Sequence, residues 1–378
     1  MASDGLDHDA ILAEGAARAG VNGVDRSASW VDALGQLVGS ANHEGGLSPA
    51  GAAAMTEKLT DLTSERLRAE ALLRVHPEVA RRPISVRFAV TGFARSGTTV
   101  LQRLLGTDPD VEFLATWQAF RPVPSGVCAP VDDPRRNEMV QTVEAMKSMG
   151  ALALHPMATD EPEEEVFLLQ HSFASLLFEL NCPMPSYVEW LGATDQGDAY
   201  RFVLDLLRLN EWAASRPAGR PRIAKSPQYL FDLMTVLDVM PDAVIAWMHR
   251  DPVELVGSYC SVYANSRRRF VAELDLHELG AERVRELERI AGRARDARAS
   301  ADPARFVDVE YDHLMKDPLG AVEEIYAAAA LPLADVTRQA AQSWLDANPK
   351  GAGGSHDYDL ADYGLDPDDI RARFAISR

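Results

Sequence analysis

The sequence predicts an α/β protein with a central parallel sheet flanked by helices, preceded by a helical N-terminal extension. Three observations carry that prediction. Beyond residue 84, short apolar segments alternate with longer amphipathic ones, the order that strand–helix–strand units produce. One of the short segments, "AVIAWM" at 243–248, is apolar throughout, as a strand covered on both faces must be. Each short segment also ends beside a basic, hydroxyl-bearing or aromatic residue, at the edge where open parallel sheets bind ligands.

The chain of 378 residues is long enough for a sizeable core. A division into a helical extension, 1–83, packing on an α/β domain, 84–378, is expected. Apolar content of 47% with 25% charged residues is that of a globular protein. The net charge of −19 argues against nucleic acid and heavily sulfated or phosphorylated polymers as partners. A small anion held by a local cluster of donors remains compatible with it. The three cysteines, Cys128, Cys182 and Cys260, stand apart in sequence and suit buried thiols better than a disulfide framework or zinc site. No apolar run reaches the length of a membrane span, and the acidic N-terminus does not resemble a signal peptide. A cytoplasmic enzyme is the expectation.

Residues 1–83 read as polar and helical, most clearly in "SPAGAAAMTEKLTDLTSERLRAEALLRVHPEVA", with Ser48 and Pro49 as a helix start. No nucleophile or ligand cluster occurs there, so a packing layer is expected. Ile84, Val86, Phe88 and Val90 alternate with polar or small residues and mark a strand ending at Thr91. "RIAK" (222–225), "AVIAWM" (243–248) and "RFVDVEY" (305–311) supply the other strands. Helical stretches are expected at 135–149, 162–179, 198–214, 252–268, 278–299 and 318–329. The Arg/Glu-rich stretch 278–299 reads as a solvated helix.

In "VTGFARSGTTVLQRLLG" (90–106) the first strand gives way to a turn bounded by Gly92 and Gly97, then to a helix. Such a turn can aim backbone N–H groups inward, and the helix adds its positive end, so an anion is the natural occupant. Arg95 lies inside the turn. The lysine that a nucleotide-hydrolysing loop carries after its second glycine is absent, and Thr98 stands in its place. Lys225 follows the "RIAK" strand. Arg250 follows "AVIAWM", where Asp251 and Pro252 open a helix, and Tyr311 closes the last strand. Taken singly, each of these cations reads equally well as a surface residue at a loop; Arg95, Lys225 and Arg250 converging on one sheet edge suit a ligand with several anionic groups.

These segments resemble the motifs of the PAPS-dependent sulfotransferases, enzymes that move a sulfuryl group from 3′-phosphoadenosine-5′-phosphosulfate (PAPS) to an acceptor hydroxyl or amine. "GFARSGTT" resembles the family's 5′-phosphosulfate loop and implies donor contacts at Arg95, Ser96, Gly97, Thr98 and Thr99. "HRDPVELVGSY" resembles the 3′-phosphate motif, which implies Arg250 and Ser258. "VEYDHLMKDP" is similar to the family's Tyr-Glu-Asp segment, although here the order is Glu310-Tyr311-Asp312. "NPKGAGGSHDYDLADYGLD" is similar to the glycine-bearing segment that closes over the nucleotide, about 346–375, with Lys350 and Gly351 as candidates. The resemblance spans about 85–375 and implies the P-loop-like sulfotransferase fold, in the style of the bacterial branch. Val100 departs from the pattern of many animal cytosolic members, which place there a tryptophan stacked on adenine.

The resemblance implies in-line displacement at sulfur, in which positioning and charge stabilisation do most of the work. Loop amides, Arg95, Thr98 and Lys225 are expected to suffice without a metal. A general base must take the acceptor's proton. Gln118 stands where a glutamate would have served, which leaves His155 ahead of Glu163 as candidates, both in "LHPMATDEPEEEVFLLQHSF". Each has a plainer reading: His155 as a structural hydrogen-bonder, and Asp160–Glu165 as an acidic helix start. Trp117, Phe120, Phe173, Phe178, Trp190 and Tyr263 are candidates for an apolar acceptor pocket. The expected acceptor is a small hydroxyl compound with little charge; oligomeric state is not legible. The competing readings are a P-loop kinase, which requires acidic magnesium ligands, and a nucleotide-binding module without catalysis.

Overall fold

The computed structural model describes residues 5–148, 157–349 and 359–375. Its centre is a four-stranded sheet in the order β2-β1-β3-β4, with β1 Ser85–Thr91, β2 Pro221–Lys225, β3 Val244–His249 and β4 Phe306–Glu310. All three strand pairs are parallel. The register sets Val90 beside Lys225 on one side and beside Ala246 on the other, so the strands end along a common edge.

Alternation along the strands divides the core between two faces. Ala89, Ala224, Ile245 and Phe306 join a cluster that includes Leu34, Leu37, Met55 and Leu59 of the N-terminal helices Ser29–Glu44 and Pro49–Val75. Phe88, Val90, Ala246 and Val309 pack on the opposite face against Leu101, Leu104 and Leu105 of the helix Thr98–Leu105 and Val322 and Ile325 of Pro318–Ala328. A third cluster joins Val256 and Cys260 of the helix Pro252–Arg267 to Tyr363, Ile370 and Phe374 near the C-terminus. Ser48 caps its helix, its Oγ accepting the Gly51 N–H over 3.0 Å. Among the described residues no helix is long and apolar enough to cross a membrane.

The helix expected over 162–179 does not form. Val166–Leu169 makes a single α turn, Gln170–Ser172 tightens to 3-10 geometry, and Phe173 takes a left-handed φ of 51°. Residues remote in sequence take up the backbone groups a helix would have paired internally. The Tyr187 hydroxyl donates to the Phe173 carbonyl over 2.7 Å, Gln228 Nε2 donates to the Ala174 carbonyl over 2.8 Å, and Gln228 Oε1 accepts the Leu176 N–H over 2.9 Å. Tyr311 also differs from expectation: it opens the helix Tyr311–Lys316 rather than closing β4.

Candidate active site

The loop after β1 folds as its glycines require. Gly92 and Gly97 have φ of 149° and 96°. A Cβ at Gly92 would lie 2.6 Å from Ser96 Oγ and 2.8 Å from the Met248 carbonyl oxygen, so the turn closes directly on β3. Arg95 is a non-glycine residue with φ 73°, a conformation worth on the order of 1–2 kcal/mol of strain that turns at functional sites commonly hold. Gly97 precedes the helix Thr98–Leu105, and the apolar face of that helix anchors the loop in the core. Ser96 Oγ is buried with no hydrogen-bond partner among the described residues. A buried orphan hydroxyl in a turn at a helix N-terminus fits an anionic oxygen.

Three other strand ends meet this loop. Lys225 ends β2, buried to 1% exposure, with its Nζ 3.4 Å from Thr99 Oγ1. Its position is held from β1: Thr91 Oγ1 donates to the Ser226 carbonyl over 2.9 Å, and the Ser226 N–H donates to the Val90 carbonyl over 3.2 Å. Arg250 follows β3. Its Nη1 donates to the Arg95 carbonyl over 2.8 Å, its Nε to Glu254 over 2.7 Å, and its guanidinium lies 4.1 Å from the centre of the Tyr311 ring. The same ring borders Gly97, where a Cβ would come within 3.0 Å of Tyr311 Cδ2. Asp251 caps the helix Pro252–Arg267, accepting the Val253 N–H over 2.8 Å, and Ser258 is buried within that helix. The cluster therefore brings together Arg95, Ser96, Gly97, Thr98, Thr99, Lys225, Arg250 and Tyr311. His155, Lys350 and Gly351 lie outside the described residues.

The carboxylates after Asp160 are placed by an extended segment. Ala115 bridges Pro162 in antiparallel fashion, and the Glu163 N–H donates to the Leu114 carbonyl over 2.8 Å. Glu163 is 3% exposed, and its Oε1 accepts the Glu164 N–H over 3.0 Å. Glu165 is likewise buried, whereas Glu164 between them forms an ion pair with the Lys225 ammonium. Sequence reasoning singled out Glu163, whereas the carboxylate that meets Lys225 is that of Glu164. Glu165 is the N-cap residue of the turn Val166–Leu169, with φ −69° and ψ −12°, and its carbonyl accepts the Leu168 N–H over 2.9 Å.

Gln118 acts locally, its Oε1 accepting the Ala115 N–H over 3.1 Å at the start of the turn Thr116–Phe120. Of the expected acceptor-pocket aromatics, Phe173, Phe178 and Tyr263 are core residues. Trp117 lines a cleft of about 330 Å³ with Gly106, Phe113, Gln118 and Arg222. Gly106 follows the C-terminal end of the helix that starts at the loop, so the cleft lies away from the loop.

A parallel sheet with a glycine-bounded anion loop on its carboxyl edge, flanked by a buried lysine and an arginine, defines a group-transfer enzyme acting on an anionic donor. Residues 88–335 match the sulfotransferase family model, and the chain belongs to the sulfotransferase family. Sulfotransferase STF1 from Mycobacterium tuberculosis H37Rv is 30% identical, with a TM-score of 0.85 over 98% of this chain and 99% of that one. Sulfotransferase STF9 from Mycobacterium avium is 27% identical, with a TM-score of 0.86 over 97% of this chain and 95% of that one. No curated protein matches the chain. The protein is thus a transferase of sulfuryl groups, and PAPS is the general donor of its family.

Proposed function

We propose that this enzyme transfers the sulfuryl group of PAPS to a hydroxyl of a small-molecule acceptor. The observation that carries the reading is the contact between Arg250 Nη1 and the Arg95 carbonyl, 2.8 Å, which joins the two anion-reading segments into one site. The turn amides, Ser96, Thr98 and Thr99 hold the 5′ end, with Arg95 reaching its oxygens. Arg250 and Ser258 receive the 3′-phosphate, a forked donor and a hydroxyl being suited to it. The nucleotide-closing role belongs to the segment about 346–375, with Lys350 and Gly351. Residues 1–83 serve as a helical layer on the α/β domain 84–378.

In the reaction the acceptor oxygen bonds to sulfur, the bond from sulfur to the 5′-phosphate oxygen breaks, and adenosine 3′,5′-bisphosphate leaves. Lys225 stabilises the negative charge that grows on the leaving oxygen. The acceptor's proton passes to a base in the segment that holds His155, Glu163 and Glu164. Glu164 is the preferred assignment, because its carboxylate already pairs with Lys225. The donor set is cationic and amide-rich, so the chemistry needs no metal, and turnover is expected to persist in EDTA.

The test is to incubate the enzyme with PAPS and a panel of phenols and alcohols, with and without EDTA, and to measure both the bisphosphate and the sulfated product. An intact donor across the panel, or turnover of ATP that requires magnesium, overturns the reading. Comparison of Glu164→Gln, Glu163→Gln and His155→Ala then assigns the base. Loss of about 10²–10⁴ in kcat is expected for the first alone, and full activity in Glu164→Gln removes it.

A further inference from the structure

Beneath the Lys225–Glu164 pair lies a third acidic side chain that the transfer chemistry does not use. Glu165 is 1% exposed and joined to Lys225 by two hydrogen bonds. Its backbone N–H donates to the Lys225 carbonyl over 3.0 Å, and its side-chain Oε2 accepts the Lys225 N–H over 2.5 Å. The arrangement has a topological cause. β2 is an edge strand, so the outward N–H and C=O of Lys225 have no neighbouring strand to pair with. Further back along that edge, Glu112 plays the strand's part: its N–H donates to the Pro221 carbonyl and its carbonyl accepts the Ile223 N–H. At Lys225 the partner is the single residue Glu165, using one backbone and one side-chain group.

We propose that Glu165 is a positioning residue of the transfer site: its buried side chain clamps the Lys225 main chain, so that the Lys225 ammonium and the Glu164 carboxylate are presented together beside Thr99. The inference rests on the sulfotransferase reading above. Adjacency does the rest, since fixing residue 165 fixes residue 164, and both sides of the ion pair take their positions from one joint. Among the described residues the remaining oxygen, Oε1, is buried without a hydrogen-bond partner, and so is the hydroxyl of its neighbour Tyr229. A carboxyl group that carries its proton can satisfy both atoms, accepting from Lys225 through Oε2 and donating to Tyr229 from Oε1. A glutamine placed with its carbonyl toward Lys225 and its amide toward Tyr229 makes the same two bonds.

The experiment compares Glu165→Ala, Glu165→Asp and Glu165→Gln with the wild type by three readouts: kcat with PAPS and the best acceptor, affinity for adenosine 3′,5′-bisphosphate, and hydrogen exchange of the Lys225 amide. Removing or shortening the side chain is expected to lower kcat about 10–100-fold, the scale of an ångström-sized misplacement. Nucleotide affinity should stay within about threefold, and the Lys225 amide should exchange faster. Glu165→Gln should restore both kcat and amide protection. Unchanged kcat in the alanine and aspartate variants, or no rescue by glutamine, overturns the proposal. So does a joint fall of kcat and nucleotide affinity with Lys225 protection unchanged. If Glu165→Ala does not fold, the aspartate and glutamine variants decide. A wild type that binds the bisphosphate but transfers nothing from PAPS refutes the reaction assignment instead, and Lys225 exchange still decides the clamp.

Discussion

Lys225 Nζ stands 3.4 Å from Thr99 Oγ1, which ties the end of β2 to the first turn of the helix that follows the anion loop. Lysine is the less common choice for a position buried to this degree, and the cost of its burial is offset by the ion pair with Glu164. Such a cation acts when charge develops on a leaving oxygen rather than when the nucleotide binds. Lys225→Ala is expected to lower kcat by about 10²–10³ while the affinity for adenosine 3′,5′-bisphosphate changes less than about threefold. Steady-state turnover paired with calorimetric titration checks both halves. Unchanged turnover would remove Lys225 from the chemistry.

Arg250 is the next residue whose loss should be selective. It spans the Arg95 carbonyl, the Glu254 carboxylate and the face of Tyr311. A charge-assisted contact to the 3′-phosphate is worth about 1.5–3 kcal/mol, or 10–100-fold in affinity. Arg250→Ala should therefore weaken adenosine 3′,5′-bisphosphate by that factor and AMP by much less. Equal losses for the two nucleotides would show that the arginine supports the loop without reading the 3′-phosphate.

Gly97 combines two constraints, a φ of 96° and a Tyr311 ring 3.0 Å from where a Cβ would stand. Gly97→Ala is expected to destabilise the fold by about 1–2 kcal/mol through backbone strain. Nucleotide binding should weaken as well, because the turn and the Tyr311–Arg250 stack move together. A melting temperature and a bisphosphate affinity both equal to those of wild type would contradict the loop geometry.

How much of this was legible in the sequence followed from how local each signal is. The strands were legible because each signal is short and local, an apolar run in β3 and alternation in β1, and the caps Ser48 and Asp251 are written within a few residues of the helices they start. The anion loop was legible for the same reason. The break at Phe173 was not, since the groups that stabilise it, Tyr187 and Gln228, lie far along the chain. Nor was the choice among Glu163, Glu164 and Glu165. The segment does end in a helix start, with Glu165 as N-cap, but which carboxylate meets Lys225 depends on where β2 lies, 61 residues along the chain.

The buried Glu165 carboxyl also gives the protein a pH dependence whose sign can be stated. Burial lifts its pKa to about 8, against 4.5 in the open chain, while the Lys225 amide and the charges of Arg222 and Lys225 pull the other way. Tyr229 and, beyond it, Glu164 complete its titratable surroundings. The folded chain therefore holds a proton that the unfolded chain releases between these two values. The stability this group contributes is full below about pH 4.5 and is lost as pH rises toward about 8, at up to about 1.4 kcal/mol per pH unit. Glu165→Gln keeps the neutral state at every pH, so the stability of wild type relative to this variant should fall by about 2–3 kcal/mol between pH 5.5 and 7.5. Denaturant titrations of the two proteins across that interval measure the difference directly. Parallel stability curves would mean that Glu165 is already ionised in the folded enzyme, and the proton assigned to its bond with Tyr229 would have to be withdrawn.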